Sequence, residues 1–227
     1  MAKDVAAVLS AGETSTSAIA LDFTGTSNNN FAIVGEDTVF TGNLQISSHS
    51  NFKLGNDATL VIDGITVNGT LSVVAYYKNI IIRNVTAQSI TVHDGGNVTV
   101  ENCVIDGAAD NGLYVVATAD NYNLTIAGNT ISNSGKNAVQ ISGCAMGPTY
   151  GAGSVTVTGN TFQNWCVKND KPRSAFKVWG DRVLAPTSGA ALTAEASALV
   201  SSIENGGNTF IGGNANQPNF DFYDNVF

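Results

Sequence analysis

Half of the chain's 10 lysines and arginines, namely Lys168, Lys171, Arg173, Lys177 and Arg182, lie in one segment together with both tryptophans, Trp165 and Trp179. Cationic groups interleaved with indole rings suit two kinds of work. They can hold an acidic ligand such as an acidic sugar. They can also anchor a protein contact, because Trp and Arg dominate the buried centres of interfaces and an acidic surface supplies the complement. The glycine-rich stretch just upstream, Ser142 to Ser154, adds Tyr150. Tyr150, Trp165, Lys168, Lys171, Arg173, Lys177, Trp179 and Arg182 are therefore the candidate binding residues. A solvated loop with Trp165 or Trp179 folded back on the body of the protein is the competing reading.

Other groups capable of chemistry point less far. Glu101, Asp106, Asp110 and Asp120 crowd one stretch and could supply a Ca²⁺ site or a glycosidase acid pair. Asp106 and Asp110, however, fall where a following repeat carries Ser132 and Lys136, so Asx-turn chemistry accounts for them without a ligand. His93-Asp94 precedes Gly95-Gly96 and reads as a solvated turn histidine. Three cysteines, Cys103, Cys144 and Cys166, form no C-x-x-C pair, and with only His49 and His93 there is no zinc spacing, so neither metal nor cofactor is expected. Cys103 occupies the place of Asn129 and Asn160 in neighbouring repeats and reads as a small buried residue. A Cys144–Cys166 disulfide stays open, although the odd count favours reduced thiols. The N-x-[ST] matches at Asn68, Asn84, Asn97 and Asn123 follow largely from the strand pattern.

The elements that must position these residues come from a repeat. Asn97 to Val115 lies over Asn123 to Ile141 without a gap at an offset of 26. Apolar residues coincide at Val98/Leu124, Val100/Ile126, Ile105/Ile131, Leu113/Val139 and Val115/Ile141, a period-2 pattern in short runs separated by Asn, Gly and Asp. Such units make strands that bury their inner face only by stacking. Val155 to Phe162 restates Leu124 to Ile131, and the end of Ile203 to Phe210 restates it again. Upstream, Asn79 to Asn84 and Asn51 to Leu60 carry the same opening. Aligning Ser174–Val178 on Asn137–Ile141 places an insertion of about six residues before Ser174. In Gly128-Asn129-Thr130, Gly159-Asn160-Thr161 and Gly207-Asn208-Thr209 the asparagine recurs at one place, where its amide can bond the asparagine one coil away.

These residues resemble the right-handed parallel β-helix superfamily, the pectate-lyase-like fold, whose coils read N-x-[IVL]-x-[IVL]-x-x-N-x-[IF]. The resemblance runs from Asn30 to Phe210. It implies an all-β solenoid of about seven to eight coils, a rod on the order of 35 Å long at a strand spacing of about 4.8 Å. That superfamily holds polysaccharide lyases and hydrolases, phage tailspikes, and adhesins without chemistry, so fold alone does not choose among them. In its pectate lyases an Arg or Lys abstracts the proton, which would cast Lys171, Arg173 or Arg182 in that role. The Ca²⁺-binding carboxylates and the Arg-bearing active-site strand of those enzymes have no clear counterpart here.

Domain organisation is expected to be single: an N-terminal cap over 1–30, coils over 31–182, and a last coil, helix and cap over 183–227. Val5, Val8 and Leu9 suit the first cap. Leu192, Ala196, Leu199, Val200 and Ile203 repeat at helical spacing after Thr193, a candidate N-cap, and the aromatic run Asn219 to Phe227 could cover the end. A net charge of −8 disfavours nucleic acid and anionic membrane as partners. No apolar run is long enough for a membrane span, and no secretory signal is legible at Met1 to Val5. The expectation is a non-enzymatic structural or attachment protein, a decoration or fibre component of a phage virion. It would lie on the virion or an extracellular surface, with other virion or surface proteins, its own copies, or a glycan as partners. A lyase or hydrolase acting on an acidic polysaccharide is the alternative.

Overall fold

The computed structural model describes residues 5–9, 14–15, 19–23, 30–48, 58–74, 77–93, 96–116, 123–142, 154–168, 173–180, 194–212 and 219–224. Within them the chain winds through successive turns. The first turn holds β1 (Val5–Leu9), β2 (Thr14–Ser15) and β3 (Ile19–Phe23), and the second β4 (Phe31–Phe40) and β5 (Leu44–Ser48). The third is the single long strand β6 (Thr59–Val74), and the fourth holds β7 (Asn79–Arg83) and β8 (Thr86–His93). Three short strands make each of the next turns: β9 (Asn97–Glu101), β10 (Val104–Asp106) and β11 (Leu113–Val116), then β12 (Asn123–Ala127), β13 (Thr130–Ser132) and β14 (Val139–Ser142), then β15 (Ser154–Thr158), β16 (Thr161–Gln163) and β17 (Phe176–Gly180). The last turn holds α1 (Ala194–Asn205), β18 (Thr209–Ile211) and β19 (Phe220–Asp224). Every strand pair is parallel and joins one turn to the next, which makes the molecule a right-handed parallel β-helix with three faces.

Period-2 alternation builds the core. On the first face Ile80, Val98 and Leu124 stand in one register column and Ile82, Val100 and Ile126 in the next, all at most 1% exposed. The second face stacks Ala87, Ile105, Ile131 and Phe162, and the third Ile90, Leu113, Val139 and Phe176. Burying each such aliphatic or aromatic side chain contributes about 1.5–3 kcal/mol, which no single turn could gain alone. Each apolar pair expected from the repeat is a register pair in the structure.

The corner between the first and second faces is two residues long. Asn84, Asn102, Gly128, Gly159 and Gly207 occupy its first position with φ between 50° and 71°, a left-handed conformation that glycine and asparagine reach at least cost. The second position points inward as the column Val85, Cys103, Asn129, Asn160 and Asn208. The Cys103 N–H donates to Asn129 Oδ1 (2.9 Å), and both Asn129 nitrogens donate to Asn160 Oδ1 (2.9 Å each). Asn160 N and Nδ2 donate in turn to Asn208 Oδ1 (2.9 and 2.8 Å). The expected asparagine stack is therefore present, and buried.

Two details differ from the sequence reading. Turn length is not constant: the outer ladder Asn79–Asn97–Asn123–Ser154 advances by 18, 26 and 31 residues. Opposite Asn79 stands Thr59 rather than Asn51, and Asn51 itself lies outside the described residues. In the third turn β6 runs through the corner as one strand bent at Gly64 (φ 72°), so no short-strand opening marks it. At the far end α1 takes the place of a first-face strand, with Leu199 and Ile203 buried beside β15, and Asn208 Nδ2 donates to both Val157 O and Ile203 O (2.7 Å each). Thr193, the expected N-cap, lies outside the described residues. Val5–Leu9 pairs with Phe31–Gly35, and Phe220–Asp224 pairs with Phe176–Gly180.

Asn160 is the central rung of the buried ladder, also donating to Ile126 O (2.8 Å). Asn160→Ala is expected to destabilise the fold by about 2–4 kcal/mol, because it leaves several buried backbone and amide groups unpaired. Urea denaturation followed by circular dichroism measures this, and a loss within about 0.5 kcal/mol would show the ladder to be incidental.

Candidate functional site

Where the chain leaves the rod decides which face can work. The first-to-second corner is closed by two residues. The second-to-third connection widens from 107–112 and 133–138 to 164–175, and the chain returns from the third face through 94–96, 117–122, 143–153 and 181–193. Both variable connections therefore border the third face. The register positions that alternate with its inward columns form two rows along the axis. One runs through Ser72, Thr91, Tyr114, Gln140, Lys177 and Asp221, the other through Val74, His93, Val116, Ser142, Trp179 and Tyr223.

The described side chains in these rows are not those of a bare, solvated sheet. Lys177 is 6% and Gln140 7% exposed although they alternate with the inward residues Phe176, Val178, Val139 and Ile141. Gln140 Oε1 accepts from Asn137 Nδ2 (3.1 Å), and Gln140 Nε2 donates to Ser142 Oγ (3.1 Å). Asn137 is itself buried, donating to Asn111 Oδ1 (3.0 Å) and accepting from the Ser174 N–H (3.1 Å). His93 ends β8 and meets Tyr114 edge to face, ring centres 5.9 Å apart. This corrects the expectation of a solvated turn histidine: half-buried against an aromatic ring, His93 belongs to the third face.

Of the candidate binding residues, Lys177 and Trp179 stand on this face, one in each row. Arg173 is half-buried next to the buried Ser174. Lys168 is elsewhere, paired with Asp110 (2.9 Å), which also pairs with Lys136 (3.1 Å), so three turns are joined by one carboxylate. Trp165 is 2% exposed and packs in the core, its Nε1 without a hydrogen-bond partner among the described residues, so as an anchor for a partner it is not presented. Tyr150, Lys171 and Arg182 lie outside the described residues, as do Asp120 and Cys144, and with Cys144 the question of its disulfide. Tyr114 and Gln140 were missed, and His93 was read as a solvated turn residue, because their rows join residues from different turns, which only the register brings together.

The carboxylates serve the scaffold. Asp106 accepts from Ser132 Oγ (2.6 Å) and from Asn133 Nδ2 (2.7 Å), and Asn164 Nδ2 continues that ladder to Asn133 Oδ1 (2.6 Å). Asp63 takes Arg83 Nε and Asn84 Nδ2, both at 2.8 Å. Among the described residues no His, Cys, Asp and Glu side chains group as a metal site, and no helix is long and apolar enough to cross a membrane. Cys103, 1% exposed, has its thiol pushed up to about 11, first by burial.

With this geometry in view, the chain matches the family described as right handed beta helix region over residues 6–201. It belongs to that family. No curated protein and no solved structure matches it.

Two measurements check the electrostatics of this β-helix. The Lys168 hydrogen bond, followed by Lys136, holds the Asp110 carboxyl below its ordinary 3.8. A depressed carboxylate stabilises the fold above its unfolded value and loses that contribution as pH falls through the folded value. Asp110→Asn should therefore lower stability slightly at pH 7 and make no difference well below pH 3.8, as read by urea midpoints across pH. Equal effects at both ends would refute the pairing. Cys103 should resist a disulfide reagent at pH 8 in the folded protein and react once urea unfolds it; prompt reaction of the native thiol would contradict its burial.

Proposed function

We propose that this chain is a non-enzymatic structural or surface-attachment β-helix, a decoration or fibre component of a phage virion, that meets its partner on the third face. The observation that carries this reading is the use made of the carboxylates. A glycosidase needs two of them flanking a scissile bond. Here Asp106 and Asp110 each bind side chains of the following turns. The third face supplies what attachment needs instead: the half-buried rings of Tyr114 and His93, backed by the buried amide of Gln140 and ammonium of Lys177. Aromatic area next to fixed polar groups suits a glycan or the surface of another virion protein, and a second copy of this acidic chain could meet the basic loop.

Incubated with Ca²⁺ and pectin, alginate or bacterial capsule, the purified protein is expected to release no unsaturated products or reducing ends. It should nevertheless be retained on bacterial envelope polysaccharide or on partner virion proteins. Replacing Tyr114 and His93 together by Ala should weaken that retention about tenfold or more with the far-UV spectrum unchanged. Turnover that disappears in Arg173→Ala or Asp106→Ala would instead establish the lyase or hydrolase, and undiminished retention in the double variant would move the partner off the third face.

A further inference from the structure

The chain carries three Asn-Gly pairs: Asn68-Gly69, Asn111-Gly112 and Asn205-Gly206. In such a pair the missing Cβ lets the glycine amide nitrogen reach the asparagine Cγ. Whether it does depends on what holds the two groups.

Two of the pairs are held on both sides. The Gly112 N–H donates to Asn137 O (3.1 Å) while Asn111 Oδ1 accepts from Asn137 Nδ2 (3.0 Å); Gly112 and Gly69 are both buried, so burial of the glycine does not separate the pairs. The Gly206 N–H donates to Ile203 O (3.3 Å) and Asn205 Nδ2 to Ser201 O (2.8 Å), closing the end of α1. Asn68 differs. It is exposed on β6, and with Gly69 it falls where the ladder to β8 is interrupted, between Val67 opposite Ala87 and Thr70 opposite Ser89. Its carboxamide has no hydrogen-bond partner among the described residues.

We infer that Asn68 is a self-modification site. The Gly69 amide nitrogen attacks Asn68 Cγ and loses its proton to solvent; the C–Nδ2 bond breaks and ammonia leaves; water then opens the cyclic succinimide at either carbonyl to give aspartate or isoaspartate. No oxidant, enzyme or cofactor is required. Exchanging the glycine would displace the Asn43 carboxamide, because a Cβ at position 69 would stand 2.4 Å from Asn43 Oδ1. The change adds a negative charge, and in the isoaspartate product an extra backbone methylene, next to Thr70. Thr70 ties neighbouring turns together: its N–H donates to Asn43 Oδ1 (2.9 Å) and its Oγ1 lies 2.8 Å from Ser89 Oγ.

The folded protein is aged at mildly alkaline pH in ¹⁸O-labelled water, then digested and mapped by mass spectrometry, with isoaspartate read by enzymatic methylation. Conversion at Asn68 is expected to be about tenfold faster than at Asn111 or Asn205, the margin that held donors supply. In urea all three, sharing one dipeptide, should convert alike. Asn68→Gln should abolish the early acidic species. Comparable rates at the three sites in the folded protein, or an Asn68 that converts in urea but not when folded, overturns the inference.

Discussion

The two-residue corner between the first and second faces imposes the register on which the rest of the molecule depends. A left-handed residue turns the chain, and the residue after it points into the rod. Where that residue is asparagine, its carboxamide has donors and acceptors in fixed directions. An amide one residue out of step would leave buried carbonyl and N–H groups unpaired at about 1–3 kcal/mol each. Such a slip would also carry every inward side chain of the strand to the outer face. Position along the rod is thus specified by polar geometry, and the apolar columns supply most of the energy.

Outer ladders repeat the device in the open. Asn79, Asn97 and Asn123 link the starts of successive first-face strands, and Asp106, Asn133 and Asn164 link the ends of successive second-face strands. Exposed links of this kind contribute little individually. Their value here is that they repeat at each turn and occupy polar groups that would otherwise be open to a ligand. This is why carboxylates that look like an acid pair in a linear sequence are scaffold in space.

The sequence made the regular middle of the rod legible. Between Asn97 and Ile141 two turns have equal length, so an ungapped comparison exposes the inward columns and the asparagine stack. It fails in the third turn, where β6 passes the corner as a continuous strand and Gly64 alone marks the bend. The site was legible only in part. Lys177 and Trp179 stood out by composition. Tyr114 and Gln140 carry no local signal, and that of His93 pointed to a turn, because their neighbours are set by connections of unequal length. Trp165 misled for a related reason: an indole beside basic residues looks like an anchor, and here the widened second-to-third connection folds it into the core.

The inequality of the corners also bears on how such a chain can change. A residue added at the first-to-second corner would throw that turn's rung of the Asn129–Asn160–Asn208 column out of line with its neighbours. A dozen residues added between the third face and the next turn would shift none, since the ladder resumes at the next strand whatever the path between, and loop closure costs only about 0.6 kcal/mol for each doubling of length. One edge of the rod is frozen by its own hydrogen bonds while the opposite edge is free to gain and lose sequence. Descendants of this chain can therefore acquire new recognition loops there without refolding the body that carries them.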